Sequence, residues 1–373
     1  MNGQRIAALT GVRGVAAIWV AAFHGYSLGA SLLGGPPRSH VPGLREGFLA
    51  VDLFFILSGF VLCVAYADKF RLDFRTSLAV FAIARVHRIF PLHWATLGLM
   101  LMLVASHPHV WLGPGPFTPN AFALSAALVQ NWNPGTALAW NHPAWSLSAE
   151  WSAYLVFPFL VYAVNRVSSQ RVAAAGAIIA LATLAALILH AGSNDLNHVG
   201  PPGCARCLCE FIAGMLAWKA ATLGDPHSTR GAEILLAVGS GLLVFAMCEP
   251  AYQLLAPFAF LAIVVACALP CRSADWIFGN RLCVFLGDIS FSIYLVHIAV
   301  LASVAVAADT FDVVHSGLPI RILTVLALPT SMLSAAYLTR TFIETPLQAM
   351  PRAWVSSLGR KFARATPTLR ETR

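Results

Sequence analysis

The sequence predicts an all-α polytopic membrane helix bundle, with about ten transmembrane helices and both termini cytoplasmic. Three observations predict it. Of the 373 residues, 58% are apolar and 11% charged, whereas soluble domains carry about 25% charged residues. Ten apolar stretches reach the length of about 20 residues that crosses a hydrocarbon core as a helix. Lysine and arginine are distributed unevenly between alternate connections, as in proteins oriented by the positive-inside rule.

Taken in order, the ten stretches run over 8–30, 47–66, 81–106, 145–165, 172–190, 205–222, 231–248, 254–270, 284–307 and 319–340. The first is not a cleaved signal peptide, because Arg13 interrupts its apolar region. An eleventh stretch, 120–132, is too short to span. Gly113 to Pro116 and Pro119 flank it on one side and Asn131, Asn133 and Pro134 on the other, so it reads as a partly buried or re-entrant segment.

With the N-terminus inside, seventeen of the Lys and Arg residues fall on the cytoplasmic side and four on the other. The excess of 24 basic over 16 acidic residues is therefore membrane topology. No basic run is interleaved with aromatics, so nucleic acid is excluded as a partner. Residues 1–345 form the membrane domain and 346–373 a basic cytoplasmic tail. In that tail Trp354, Leu358 and Phe362 beside Arg352, Arg360 and Arg364 suit either an amphipathic helix on the inner surface or a disordered end.

Charged side chains inside spans mark cavities and function. Arg13 and His24 are eleven residues apart, which returns them to one helix face with roughly 16 Å of rise between them. Taken singly, each also fits a snorkelling arginine or a hydrogen-bonded core histidine. Arg85 and Arg88 share a face at i, i+3; paired guanidinium forks suit phosphate, although a plain inner-surface anchor has the same appearance. In Trp145-Ser146-Leu147-Ser148-Ala149-Glu150, Ser146 and Glu150 share a face, and a carboxylate one turn into a span needs a partner.

Ser290, Tyr294 and His297 form a hydrogen-bonding stripe in the ninth span, which serves a site or helix packing. Asp52 and the Arg206–Glu210 pair read as structural ion pairs or cavity lining. Cys204, Cys207 and Cys209 lack the second half of a metal motif, so no metal site is expected, while a disulfide stays open. His107, His109, His142 and His198 fall in outer loops and are expected to face water.

Together these pieces resemble the acyltransferase 3 family of multi-spanning membrane proteins. The matching residues are Arg13 and His24, Val51 to Phe60, Arg85 and Arg88 with Ile89 and Pro91, Trp145 to Glu150, Arg206 to Gly214, Leu286 to His297, and Ile343-Glu344-Thr345-Pro346. They follow the family's order along nearly the whole chain. Ala50, His93, Phe291 and Thr345 depart from its usual residues, and the likeness is to stand-alone members without a secreted esterase-like domain.

The resemblance implies an O-acyltransferase, and an O-acetyltransferase above all, in the inner membrane. Cytoplasmic acyl-coenzyme A, with acetyl-coenzyme A first in line, would donate to a hydroxyl of a carbohydrate or lipid-linked glycan, on an envelope polysaccharide or a secreted metabolite. Arg13, Arg85 and Arg88 would hold the nucleotide phosphates, and the pantetheine arm would climb one passage beside the first helix to His24. His24 would be the general base or, in a variant, a covalently acylated nucleophile. Glu150 would orient it, with Ser146, Tyr294, His297 and Asp52 touching substrate. The competing reading is a proton- or anion-coupled transporter using the same buried residues, although the sequence shows no inverted repeat.

Overall fold

The computed structural model describes residues 3–110, 112–225 and 228–349; the expectation for the basic tail lies mostly outside them. Among the described residues there are thirteen α-helices and no strand. The helices are α1 (Gly3–Leu33), α2 (Ala50–Leu72), α3 (Phe74–Ser106), α4 (Pro119–Ala126), α5 (Ala144–Asn165), α6 (Gln170–His190), α7 (Pro201–Leu223), α8 (Thr229–Cys248), α9 (Ala256–Ala268), α10 (Arg272–Phe278), α11 (Arg281–Asp288), α12 (Ser290–Thr310) and α13 (Leu318–Thr339).

Nine described helical segments are long and apolar enough to cross a membrane, and they match nine of the ten expected stretches. The remaining stretch lies in α7. At 23 residues α7 is long enough to span, but it carries Arg206, Glu210 and Lys219 and sits against α2, α5, α6 and α9 rather than lipid. Small residues permit that depth: a Cβ on Gly59 would run into the Phe211 carbonyl, and one on Gly214 into the Ile56 carbonyl, so α2 and α7 pack backbone to backbone.

The expected ninth stretch, 284–307, is broken at Ile289 into the end of α11 and α12. The short α11 packs along α1, where Gly14 and Gly287 allow close approach. In contrast, α3 continues through Pro91 without interruption.

The short segment expected to be re-entrant is α4 followed by a dipping loop. His93 of α3 holds it through a hydrogen bond from Nε2 to the Ser125 carbonyl at 2.7 Å, and Trp94 donates to Ala126 at 2.9 Å. The loop enters the bundle on buried side chains, each bonded to backbone: Gln130 to Ala144, Asn131 to Gly200 and Asn141 to Leu295, all at 3.0 Å. Arg13 at the start of α1, the first half of α3 and Glu344 beyond α13 meet at one end of the bundle. An even number of crossings requires that juxtaposition.

Candidate functional site

Two of the cavities in the bundle are lined by the polar residues Arg13 and His24 of α1, one by each. The inner one, about 150 Å³, is lined by Arg13, Arg85, Arg88, Ser146, Glu150 and Tyr294, among others. The outer one, about 640 Å³, is lined by His24, His142, Trp145 and Tyr294. They are separate, where a single passage was expected. Tyr294 forms the wall between them. Its hydroxyl lies 2.6 Å from Ser146 Oγ and donates to the Pro143 carbonyl at 3.1 Å. Both side chains expected to touch substrate on these helices, Ser146 and Tyr294, are thus engaged with each other.

At the inner cavity the three arginines are unequal. Arg88 is ion-paired with Glu344, which also accepts from Arg340 at 2.7 Å, Ser292 at 2.8 Å and Gln348 at 3.0 Å. The Phe291 ring lies 4.7 Å from the Arg88 guanidinium carbon. Arg13 donates to the Gly287 carbonyl at 3.0 Å, while its Nε is buried without a partner. Arg85 stands among the rings of Tyr66, Phe81 and Tyr154, and its Nε is likewise unpartnered. Arg13 and Arg85 are therefore the two of the three whose Nε is buried without a partner. Glu344 sits in the Ile343–Pro346 motif, yet a motif names no partner, and nothing in the sequence linked it to Arg88.

Glu150 is at the inner cavity, where Ser58 and Tyr154 donate to its Oε1, the latter at 2.5 Å. The structure does not bring it to His24, the contact expected of an orienting carboxylate. His24 meets His297 instead: Nδ1 of His24 is 3.1 Å from Nε2 of His297, and the ring centroids are 5.0 Å apart.

The surrounding acceptors assign the protons of this pair. His297 Nδ1 faces the Ile293 carbonyl at 3.2 Å. A carbonyl only accepts, so in the neutral ring that nitrogen carries the hydrogen and Nε2 is a lone pair. His24 Nδ1 then faces two acceptors, His297 Nε2 and the Val20 carbonyl, each at 3.1 Å, and must carry its own hydrogen. Nε2 of His24 is left as the basic nitrogen, and among the described residues no hydrogen bond occupies it. His297, expected to touch substrate, is placed to orient the His24 ring, the role expected of Glu150.

Two further expectations are corrected. Asp52 is fully buried and bound by both Nε and Nη2 of Arg206 at 2.6 Å, and it lines neither cavity, so it is a structural partner and not a substrate contact. The same guanidinium donates to the Leu196 carbonyl. His142 does not stand free on an outer loop but is half-buried at the wall of the outer cavity. Its ring is 5.0 Å from that of His24, and burial, ahead of the nearby His297 and Arg38, lowers its pKa to about 3, which keeps it neutral. Sequence reasoning missed it because position in a loop says nothing of whether the loop dips. Cys204, Cys207 and Cys209 are free thiols.

The comparisons with known proteins agree with this architecture. A protein-family model described as Acyltransferase domain matches residues 6–340. The chain is 29% identical over 327 residues to "Acyltransferase MdmB" of Streptomyces mycarofaciens, covering 80% of this chain and 79% of that protein. It is 35% identical over 163 residues to "Protein 2 in picA locus" of Rhizobium radiobacter, covering 39% of this chain and 78% of that protein. No solved structure matches it. With a family domain that spans nearly the whole chain, a bundle of membrane-crossing helices and a paired imidazole at the floor of a cavity, this protein belongs to the acyltransferase 3 family and is a multi-pass membrane acyltransferase.

Proposed function

We propose that the protein is an O-acyltransferase of the inner membrane that moves an acyl group, acetyl in the first instance, from cytoplasmic acyl-coenzyme A to a hydroxyl of a carbohydrate or lipid-linked glycan acceptor. The observation that carries this reading is the His24–His297 pair, which leaves Nε2 of His24 as a base at the outer cavity, one tyrosine away from a cavity bearing Arg13 and Arg85.

The inner cavity is smaller than the 300–1,000 Å³ of sites for drug-sized ligands. The nucleotide therefore stays at the inner mouth, where the spare donors of Arg13 and Arg85 pair with phosphate oxygens. Only the pantetheine arm enters, and the thioester reaches the Tyr294 wall. The acceptor enters from the outer cavity with its hydroxyl against His24.

With the Tyr294 side chain swung aside, the hydroxyl oxygen attacks the thioester carbonyl carbon as Nε2 of His24 takes its proton. A carbon–oxygen bond forms, the carbon–sulfur bond breaks, and the coenzyme A thiolate recovers the proton from His24 and leaves as the thiol. During the step the imidazolium is held by the Val20 carbonyl and by the lone pair of His297. Tyr294 and Ser146, whose hydroxyls rest on each other and on the Pro143 carbonyl, turn from that carbonyl to donate where the oxyanion develops.

The test is transfer of radiolabel from acetyl-coenzyme A to a panel of glycans by purified protein. Labelled glycan with release of free coenzyme A is the expected result. Counterflow of label across proteoliposomes without thioester consumption would instead support the transporter reading, which family membership disfavours.

A further inference from the structure

Among the described residues, Arg38 is the one side chain of fixed charge lining the outer cavity. It comes from the turn Arg38–His40 in the loop after α1 and is turned inward. Its Nη1 donates to the Phe23 carbonyl at 2.8 Å and lies 3.4 Å from Ser27 Oγ, and its guanidinium carbon stands 3.6 Å from the Phe23 ring centroid. No described carboxylate lies within ion-pair distance of it. Arg45 in the same loop differs, being paired with Glu46 and bonded to the Met247 carbonyl at 3.0 Å. With Ser27 and Ser31, Arg38 also lines a third cavity of about 530 Å³ adjoining the outer one, so a guanidinium with no described carboxylate partner stands where the two meet.

His142 is a second uncommitted group in the same place. Its Nδ1 is buried and has no partner, a state that native structures avoid unless a ligand or water completes it. The loop that carries it is pinned by the bonds from Asn141 to Leu295 and Thr96, so the ring is fixed in place before any ligand arrives. His24, His142 and Arg38 therefore present three unfilled polar groups to one cavity.

We propose that Arg38 and His142 form an acceptor subsite for an anionic acceptor, with Arg38 pairing with its carboxylate or phosphate and His142 Nδ1 hydrogen-bonding a hydroxyl beside the one acylated. The proposal rests on the acyl-transfer reading above and adds the charge class of the acceptor. A guanidinium held on the Phe23 face keeps its fork preorganised for a planar or tetrahedral anion. Phe23 is also in edge contact with the His24 ring, at 4.8 Å between centroids. The anionic group and the reacting hydroxyl consequently belong to the same sugar unit or to adjacent ones. An arginine serving only as an outer-surface anchor would extend towards lipid phosphates instead of bonding a helix carbonyl inside the bundle.

The experiment compares methyl glucuronoside, glucose 6-phosphate and methyl glucoside as acceptors for labelled acetyl-coenzyme A, using full-length protein in a non-ionic detergent. The wild type is expected to prefer the anionic acceptors by about tenfold or more in KM. Arg38→Gln is expected to bring that preference close to one, and Arg38→Lys to restore part of it, since charge returns without the fork. Equal use of charged and neutral glycosides by the wild type, or a preference that survives Arg38→Gln, overturns the proposal. So does loss of the preference on adding phosphatidylglycerol, because Arg38 would then serve a lipid headgroup.

Binding of labelled methyl glucuronoside without donor separates the two readings. Arg38-dependent binding with no transfer to any glycan leaves the subsite standing and removes the acyl-transfer reading. Transfer to neutral glycans with no such binding does the reverse.

Discussion

Tyr294 Oη lies 2.6 Å from Ser146 Oγ, and this contact between α12 and α5 is the boundary between the inner and outer cavities. The residue that lines both spaces is thus also the one that keeps them apart. In the proposed reaction, a donor site facing one compartment and an acceptor site facing the other would need such a wall, since an open channel would admit water to the thioester and leak solute across the membrane.

Removing that wall should uncouple the enzyme. Tyr294→Ala is expected to raise release of coenzyme A thiol in the absence of acceptor, read with a thiol reagent. Tyr294→Phe keeps the ring and loses both hydrogen bonds, so its acceptor-free rate should stay near the wild-type value while kcat for transfer falls. No rise in hydrolysis for Tyr294→Ala would show that the ring is not the barrier.

The imidazole pair should separate into a base and its support. His24→Ala is expected to lower kcat by about 10²–10⁴-fold, the usual contribution of general base catalysis. His297→Ala should lower kcat less, with the KM values for donor and acceptor unchanged, because the Val20 carbonyl still accepts from His24 Nδ1. His297→Gln, which can again present an acceptor, should recover part of the loss. A full His24-like defect in His297→Ala would assign His297 a direct role in the chemistry.

The arginines should divide according to their partners. Arg13→Gln and Arg85→Gln are expected to raise the KM for acyl-coenzyme A, since their free donors are the ones available to phosphate. Arg88→Gln and Glu344→Gln should each lower the melting temperature in detergent. Their double variant should lose less than the sum, with a coupling of about 0.5–3 kcal/mol, as contacting partners show. Additive losses would mean that the pair does not act as one.

Asp52 should behave as scaffold. Asp52→Ala leaves the buried Arg206 guanidinium only the more distant Glu210 carboxylate, 3.9 Å from its Nε, and loss of one member of a buried pair costs about 3–5 kcal/mol. Yield and melting temperature are expected to collapse, with acceptor KM unchanged in any protein that survives. A stable variant with a raised acceptor KM would return Asp52 to the substrate site.

The bundle was legible because composition and period report the solvent of each residue: 11% charged residues cannot clothe a soluble surface, and stretches of about 20 apolar residues have few other uses. Even the segment set aside as too short proved to be α4 and a dipping loop. Less legible was α7, whose charges look costly in lipid until it is seen enclosed by other helices. The break at Ile289 was invisible too, since apolar residues continue through it and only packing of α11 along α1 imposes the turn.

By itself, then, the sequence determined that this is a membrane-embedded helical bundle resembling the acyltransferase 3 family, and which polar side chains share a face within each helix. Spacing along one helix decides those faces, because the helical period is fixed. Which face meets which was decided by tertiary structure alone: Arg88 with Glu344 across 256 residues, Asp52 with Arg206 across 154, and His24 with His297 rather than Glu150 across 273. Contacts between helices depend on the shape of the whole packed bundle, where a glycine admits a backbone and a tyrosine closes a passage, and no local pattern encodes that shape.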